Sequence, residues 1–163
     1  LGNDEFVLSN FSPEEYRVHH AVVYTNDVNL SLRSRIIQQY EGYESYTIIA
    51  RSALVTSSSK IAGGCALMEG AIVNGAILAQ NSVINTKAVI EHGCILGNNV
   101  FVGPGAIVCG DTCIGDNVLV GAGVIIRDGI EITENVTIGM GSVVVRSIVE
   151  PGVYLGNPCR KIR

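Results

Sequence analysis

The sequence predicts a mainly β fold: a left-handed parallel β-helix of six-residue repeats, preceded by a small α/β segment. Three observations carry this expectation. An aliphatic residue recurs at every sixth position through most of the chain. A small or β-branched residue stands four positions beyond each of them. All but Gly2 and Gly42 of the 19 glycines lie after residue 47, whereas five of the six tyrosines lie before it.

The N-terminal part reads as mixed α/β. Ser12-Pro13-Glu14-Glu15 predicts a helix start, because proline at the first helical position lacks an N–H that would be unpaired anyway. Ala21-Val22-Val23-Tyr24 is a short apolar run suited to a buried strand. Asn29 is placed to cap a helix from about Leu30 to Tyr40, with Leu32, Ile36 and Ile37 on one face. Tyr46-Thr47-Ile48-Ile49-Ala50 is rich in β-branched residues and predicts a strand.

The aliphatic series runs Ile72, Leu78, Ile84, Ile90, Leu96, Val102, Val108, Ile114, Val120, Ile126, Ile132, Ile138, Val144. Upstream, Val55, Ile61 and Leu67 continue it after a one-residue slip. Its small partners run from Ala76, Ser82 and Ala88 through Cys94, Ala106 and Thr112 to Val136 and Ser142. A period of six does not fit the 3.6 of an α-helix, and each glycine would cost about 1 kcal/mol there. Each hexapeptide is therefore expected to form one flat side, and three sides one triangular coil. The aliphatic side chains stack inside and the small ones fill the corners, giving roughly five coils. Gly97, Gly103, Gly115, Gly121 and Gly139 follow an aliphatic position directly, where turns between faces are expected to need permissive backbone. The tail from Pro151 to Pro158 breaks the period and is expected to cover the open edge of the last coil. The expected divisions are 1–50 for the α/β segment, 51–148 for the prism and 149–163 for a capping tail.

Composition narrows the function. The net charge is −4 with a pI near 5.3, and no basic run exists that would neutralise a nucleic-acid backbone. No apolar stretch is long enough to cross a bilayer, and no signal peptide is visible. The five cysteines show no C-x-x-C spacing and are odd in number, as expected of reduced thiols in a cytoplasmic protein. The first residue is Leu rather than Met, so an upstream portion is expected.

The residues that depart from the repeat must carry the chemistry. His19 and His20 read as structural or solvent-exposed. His92 is the only histidine of the prism. Because residue 90 points inward, His92 is expected to project from a flat face, open to a ligand or a neighbouring subunit; an exposed histidine without a role is the alternative. One histidine is too few for a three-histidine zinc site, so no metal is expected. A nucleophile elbow G-x-S-x-G and a dinucleotide loop in a strand-to-helix setting are both missing. Acyl transfer from a thioester asks for less: a base for the attacking amine or hydroxyl, and a donor for the developing oxyanion. An imidazole, with an ordinary pKa near 6.5, suits the first task and contributes roughly 10²–10⁴ in rate. A backbone N–H at a glycine-rich turn suits the second, at about 10²–10³.

The run from Ile84-Asn85-Thr86 to Ile90-Glu91-His92, the segment Val102-Gly103-Pro104-Gly105-Ala106 and the ending Gly156-Asn157-Pro158 resemble the bacterial sugar O- and N-acetyltransferases. That group includes the sialic acid O-acetyltransferase-like proteins and the UDP-bacillosamine and GDP-perosamine N-acetyltransferases. The resemblance spans the prism and, more weakly, residues from about 16 onward. It implies a Rossmann-like segment that holds a sugar nucleotide, a homotrimer, and acetyl-CoA in the groove between adjacent prisms. By this resemblance His92 is the general base, with Glu91 beside it, and the Gly110 amide faces the thioester carbonyl. Asn85 and Thr86 lie beside the sugar. Ala122, Gly139 and Met140 line the CoA groove, and Asp4 approaches the nucleotide.

Three departures stand out. The family glutamate that follows and orients the histidine is Gly93 here, so Glu91 or a carboxylate from another chain takes its place. A histidine often found near the acetyl group is Phe101. The glycine-rich loop of the family's first strand is missing. The leading expectation is transfer of an acetyl group to a nucleotide-linked sugar in surface-glycan biosynthesis. Acetylation of serine or a free sugar, and a prism that has lost catalysis, are the alternatives.

Overall fold

The computed structural model describes residues 3–21 and 29–163, and of residues 29–32 the backbone alone. The series of aliphatic residues builds a parallel β-helix of six turns between Ile48 and Ile148. Each turn contributes one two- or three-residue strand to each of three sheets, except that the third side of the sixth turn is a single bridge, Ile148 to Ile132. The first strand of every turn joins an eight-stranded sheet, the second a six-stranded sheet and the third a five-stranded sheet. Strand Val89–Ile90, for example, pairs in register with Ile72–Val73 on one side and Ile107–Val108 on the other. The count is six rather than about five because the first turn begins at Ile48, before the strict sixfold pattern sets in.

The interior is as expected from Leu78 to Val144: every aliphatic residue of the series is buried, as is every small partner from Ala76 to Ser142. The hydroxyls among those partners are satisfied locally, Ser82 Oγ donating to Gly97 O at 3.0 Å and Thr112 Oγ1 to Cys109 O at 2.8 Å. Ile72 is a correction. Val73 fills the core and Ile72 faces outward, so the five-residue step lies between Val73 and Leu78.

The expectation for five glycines also changes. Gly97, Gly103, Gly115, Gly121 and Gly139 are not among the residues with positive φ. From Leu78 to Ile138 the left-handed position instead falls three residues after each inward aliphatic and is filled by glycine or by Asn81, Lys87, Asn99, Asp111, Asn117 and Asn135. The five glycines answer to crowding between turns: a Cβ on Gly103 would lie 2.6 Å from Ala122 N, and one on Gly115 would lie 2.7 Å from Glu134 N.

The tail adds strand Gly152–Leu155 in parallel to Val136–Ile138, and Arg160–Lys161 folds back on it antiparallel. Tyr154 and Cys159 pack against the end of the core.

The N-terminal segment begins with helix α1 (Asp4–Asn10), capped by Asn3, whose Oδ1 accepts from Phe6 N at 3.0 Å. This helix was not expected from the sequence. Ser12 to Glu15, expected to start a helix, closes only one turn: Ser12 O accepts from both Glu15 N and Tyr16 N. Arg17 already enters strand β1 (Arg17–Val18), which leaves no length for a helix. Helix α2 (Asn29–Gln39) matches the expected span within a residue, and strand β2 (Glu44–Ser45) pairs parallel with β1. The expected strand at Val22, Val23 and Tyr24 lies outside the described residues, as do the Asn29 cap and Leu32 side chains. The expected strand at 46–50 is confined to Ile48–Ile49.

Helix α2 is fastened to the coil by polar contacts. Arg33, fully buried, donates from Nη1 to Asn81 O at 2.9 Å and to Asn99 Oδ1. Asn99 Nδ2 donates in turn to Asn117 Oδ1 at 2.7 Å and to Ser34 Oγ at 3.1 Å. These asparagines occupy left-handed positions of successive turns and form a ladder along the corner that joins the five- and eight-stranded sheets.

Candidate functional site

His92 sits not on a flat face, as expected, but at the corner where the six-stranded sheet gives way to the five-stranded one. Its immediate surroundings depart from the repeat on both sides. The turn below is the shortened one: Asn74 takes the place under Glu91, and Gly75 alone serves both His92 and Gly93, its O accepting from Gly93 N and a Cβ on it standing 3.9 Å from His92 Cα and Cβ. Above it lies Gly110, which is buried. A Cβ on Gly110 would stand 2.7 Å from His92 Cε1 and 2.9 Å from Nε2, so the imidazole rests directly on the glycine backbone. A glycine below and a glycine above, neither with a side chain, leave the exposed ring room on both sides.

Glu91 does not bond to the imidazole. Its Oε2 accepts from Asn74 Nδ2 at 3.0 Å across the turn. The Gly110 N–H meets no acceptor among the described residues, and Asp111 N donates to His92 O at 2.8 Å. The corner thus joins Glu91, His92 and Gly110 as expected, and presents an uncommitted imidazole next to an uncommitted backbone N–H. Cys109, between Glu91 and Arg127 on this corner, has its thiol pushed up by burial and by the charges of Asp128 and Glu91, which keeps it a thiol rather than a nucleophilic thiolate.

Asn85, Thr86, Ala122, Gly139 and Met140 gather at the opposite edge of the six-stranded sheet, where it meets the eight-stranded one. Thr86, Pro104, Ala122 and Met140 stack turn on turn: Gly105 N donates to Thr86 O, Gly123 N to Pro104 O and Gly141 N to Ala122 O, each at 2.9 Å. Met140 is 76% exposed. Within one chain, therefore, these residues and His92 stand at two corners. Between them runs an outward stripe of Leu54, Ile72, Val89, Ile107, Ile125 and Val143.

Asn85 also borders a mostly apolar cavity of about 260 Å³ under the N-terminal segment, with Phe101, Ala66, Val83, His19 and His20 among its walls. His20 is buried and meets Tyr40 edge-on at 5.6 Å between ring centroids. Burial, and after it the charges of Arg33 and His19, hold its imidazole below the ordinary 6.5. Asp4 lies in an adjoining cavity, where its Oδ1 accepts from Tyr40 Oη at 2.7 Å; burial and this bond push the Tyr40 hydroxyl up to about 12. The sequence reading missed that His19 and His20 line cavities. Both follow strand β1, a two-residue element that the sequence pattern does not announce. Among the described residues no group of three or more His, Cys, Asp or Glu is arranged to hold a metal ion, and no helix is long and apolar enough to cross a membrane.

Comparison with known proteins follows this geometry. Residues 111–146 match the family described as bacterial transferase hexapeptide, six repeats. No curated protein sequence matches the chain. Among solved structures it is similar to the acetyltransferase domain of PglB from Neisseria gonorrhoeae, with 30% identity and a TM-score of 0.88 over 97% of this chain and 77% of that one. The same domain in complex with acetyl coenzyme A gives 29% identity and a TM-score of 0.87, covering 96% of this chain and 76% of that one. PerB from Caulobacter crescentus, in complex with CoA and GDP-perosamine, gives 25% identity and a TM-score of 0.86 over 97% of this chain and 74% of that one.

Proposed function

Since the chain belongs to the family of bacterial hexapeptide-repeat acetyltransferases, we propose that it moves the acetyl group of acetyl-CoA to an amine or hydroxyl of a nucleotide-linked sugar, with His92 as general base. The observation that carries this reading is the pair of uncommitted groups at one corner, the His92 imidazole and the Gly110 N–H. His92 takes the proton from the acceptor as its nitrogen or oxygen attacks the acetyl carbonyl. The Gly110 N–H steadies the oxyanion, the C–S bond breaks, and CoA leaves as the thiol after receiving the proton.

The coil is read as left-handed, and the working unit as a homotrimer. The outward stripe from Leu54 to Val143 supports assembly, because its Leu54, Ile107 and Ile125 are 64%, 37% and 43% exposed and an apolar face of this extent marks a contact surface. A second copy laid against it would bring its own corner near His92. Ala122, Gly139 and Met140 are then assigned to CoA, and Asn85 and Thr86 to the acceptor. Residues 1–50 are read as a Rossmann-like acceptor segment that presents Asp4 to the nucleotide, 51–148 as the catalytic prism and 149–163 as its cap. A substrate such as acetyl-CoA and five free cysteines suit the cytoplasm, and surface-glycan biosynthesis is the setting that a nucleotide-linked sugar suits.

A panel of acetyl-CoA with nucleotide-linked amino sugars, free sugars and serine tests the reading through release of CoA thiol. Turnover with a nucleotide-linked sugar is the expected result. Turnover with serine or a free sugar alone would move the assignment to another acceptor, and failure to bind acetyl-CoA at all would contradict an enzymatic role.

A further inference from the structure

We infer that Asp111, from the turn stacked above, is the carboxylate that positions His92 during the reaction. This rests on His92 acting as the base. Three observations point to it. First, Asp111 reaches over Gly93, the neighbour of His92: a Cβ built on Gly93 would overlap Asp111 Oδ1 and lie 3.2 Å from its Cγ. The carboxylate fills the space that a side chain at position 93 would occupy. Second, Asp111 is tied to the same residue by its backbone, its N–H donating to His92 O at 2.8 Å, and it directly follows Gly110, on which the imidazole rests. Third, its carboxylate forms no hydrogen bond or ion pair with any described residue, His92 included, so it is free to accept from the imidazole when the ring turns toward it, whereas Glu91 is bound to Asn74.

Backbone geometry does not ask for a charge at position 111. Its φ is +57°, and the equivalent left-handed positions at 81, 99, 117 and 135 are all asparagine. Aspartate there has the conformational fitness of asparagine and adds a negative charge. The other charged groups facing this corner are Glu91 on the turn of His92 itself, and Arg127 and Asp128 on the turn above Asp111. Cys94 packs behind the corner with a thiol held up by burial, so it adds no charge. When the His92 ring takes up its working position, the Asp111 carboxylate is the uncommitted acceptor one turn away that can hold it there. Acting through His92, it is a positioning residue.

The test uses Asp111→Asn, which keeps the left-handed backbone, and the exchange Gly93→Asp with Asp111→Gly, which moves the carboxylate one turn down into the space it already overlies. Asp111→Asn is expected to lower kcat about five- to tenfold, with KM for acetyl-CoA within about twofold and the melting temperature unchanged. The exchange is expected to recover most of that loss. In the protein without substrate, the His92 ring nitrogens, followed in long-range ¹H–¹⁵N spectra, are expected to shift on Asp111→Asn. Wild-type kcat in Asp111→Asn would overturn the proposal. So would unchanged His92 ring signals, and that readout decides the matter even in a preparation that acetylates nothing, where the functional reading has failed instead.

Discussion

Two corners of the same coil share one backbone geometry and differ in what their side chains do. Along the corner that carries Asn81, Asn99 and Asn117, the Asn99 and Asn117 amides bond to each other and to Ser34, and Arg33 of the N-terminal helix donates to Asn99 Oδ1 and to the backbone O of Asn81. Along the corner that carries His92, the repeat is one residue short below the ring, has no side chain above it, and leaves an imidazole, a backbone N–H and a carboxylate without partners among the described residues. The left-handed turn is common to both, so it marks neither structure nor function. What separates them is what the polar groups bond to: the ladder, although Asn81 Oδ1 meets no partner among the described residues, is bonded from turn to turn and to the helix as a fastening, and the exposed, uncommitted set is the place where a ligand completes the bonding.

The contrast can be broken at either corner. The largest effect is expected from Gly110→Ala. Its φ is not positive, so the backbone accepts alanine, but the new methyl would stand 2.7 Å from His92 Cε1. The ring is at the free end of an exposed side chain and moves aside cheaply. Stability should change by less than about 1 kcal/mol, while turnover falls about 10- to 100-fold because the base is displaced. Equal losses of stability and activity would show that Gly110 serves packing alone.

Asn99→Ala should do the reverse. It removes the bonds to Arg33, Ser34 and Asn117 and puts alanine at φ +59°. A loss of about 3 kcal/mol in urea unfolding is expected, with the early change confined to the docking of α2. A loss below about 1 kcal/mol would mean that the ladder does not fasten the helix.

The smallest effect is expected from pH at His20. Its folded-state pKa lies below the ordinary 6.5 because it is buried. As pH falls below about 6.5, the unfolded chain takes up the proton first, so the stability present above that pH is lost as pH drops through the folded value. Hydrogen-exchange protection factors in β1 and β2, corrected for the intrinsic pH dependence of amide exchange, should therefore fall below about pH 6.5 while those of the coil hold, and His20→Gln should flatten the dependence. A uniform fall of protection in both regions would contradict this.

Much of the coil was legible in the sequence because its interior obeys one rule. Leu78 to Val144 at intervals of six, and Ala76 to Ser142 between them, all stack inside. The slip was harder to place, since Ile72 and Val73 are both aliphatic and only the short turn at Asn74–Gly75 decides which of them faces the core. That slip lies directly under His92, so the feature that opens the site was visible only as an irregularity of the period. His92, Glu91 and Gly110 were readable as a group, but Asp111 was not: its relation to Gly93 spans one full turn and depends on the register of stacking. The N-terminal segment was read least well. Its strands have two residues each, and its short α1 depends on the Asn3 cap and on Tyr40 reaching back to Asp4.

The central claim, that the imidazole at the uncommitted corner performs acetyl transfer, is tested most directly by His92→Ala with acetyl-CoA and the acceptor that the wild-type protein uses. The ring is exposed and makes no hydrogen bond or ion pair with a described residue, so folding and acetyl-CoA binding should be retained. Turnover is predicted to fall by about 10²–10⁴. A folded variant that turns over within a few-fold of wild type would contradict the account.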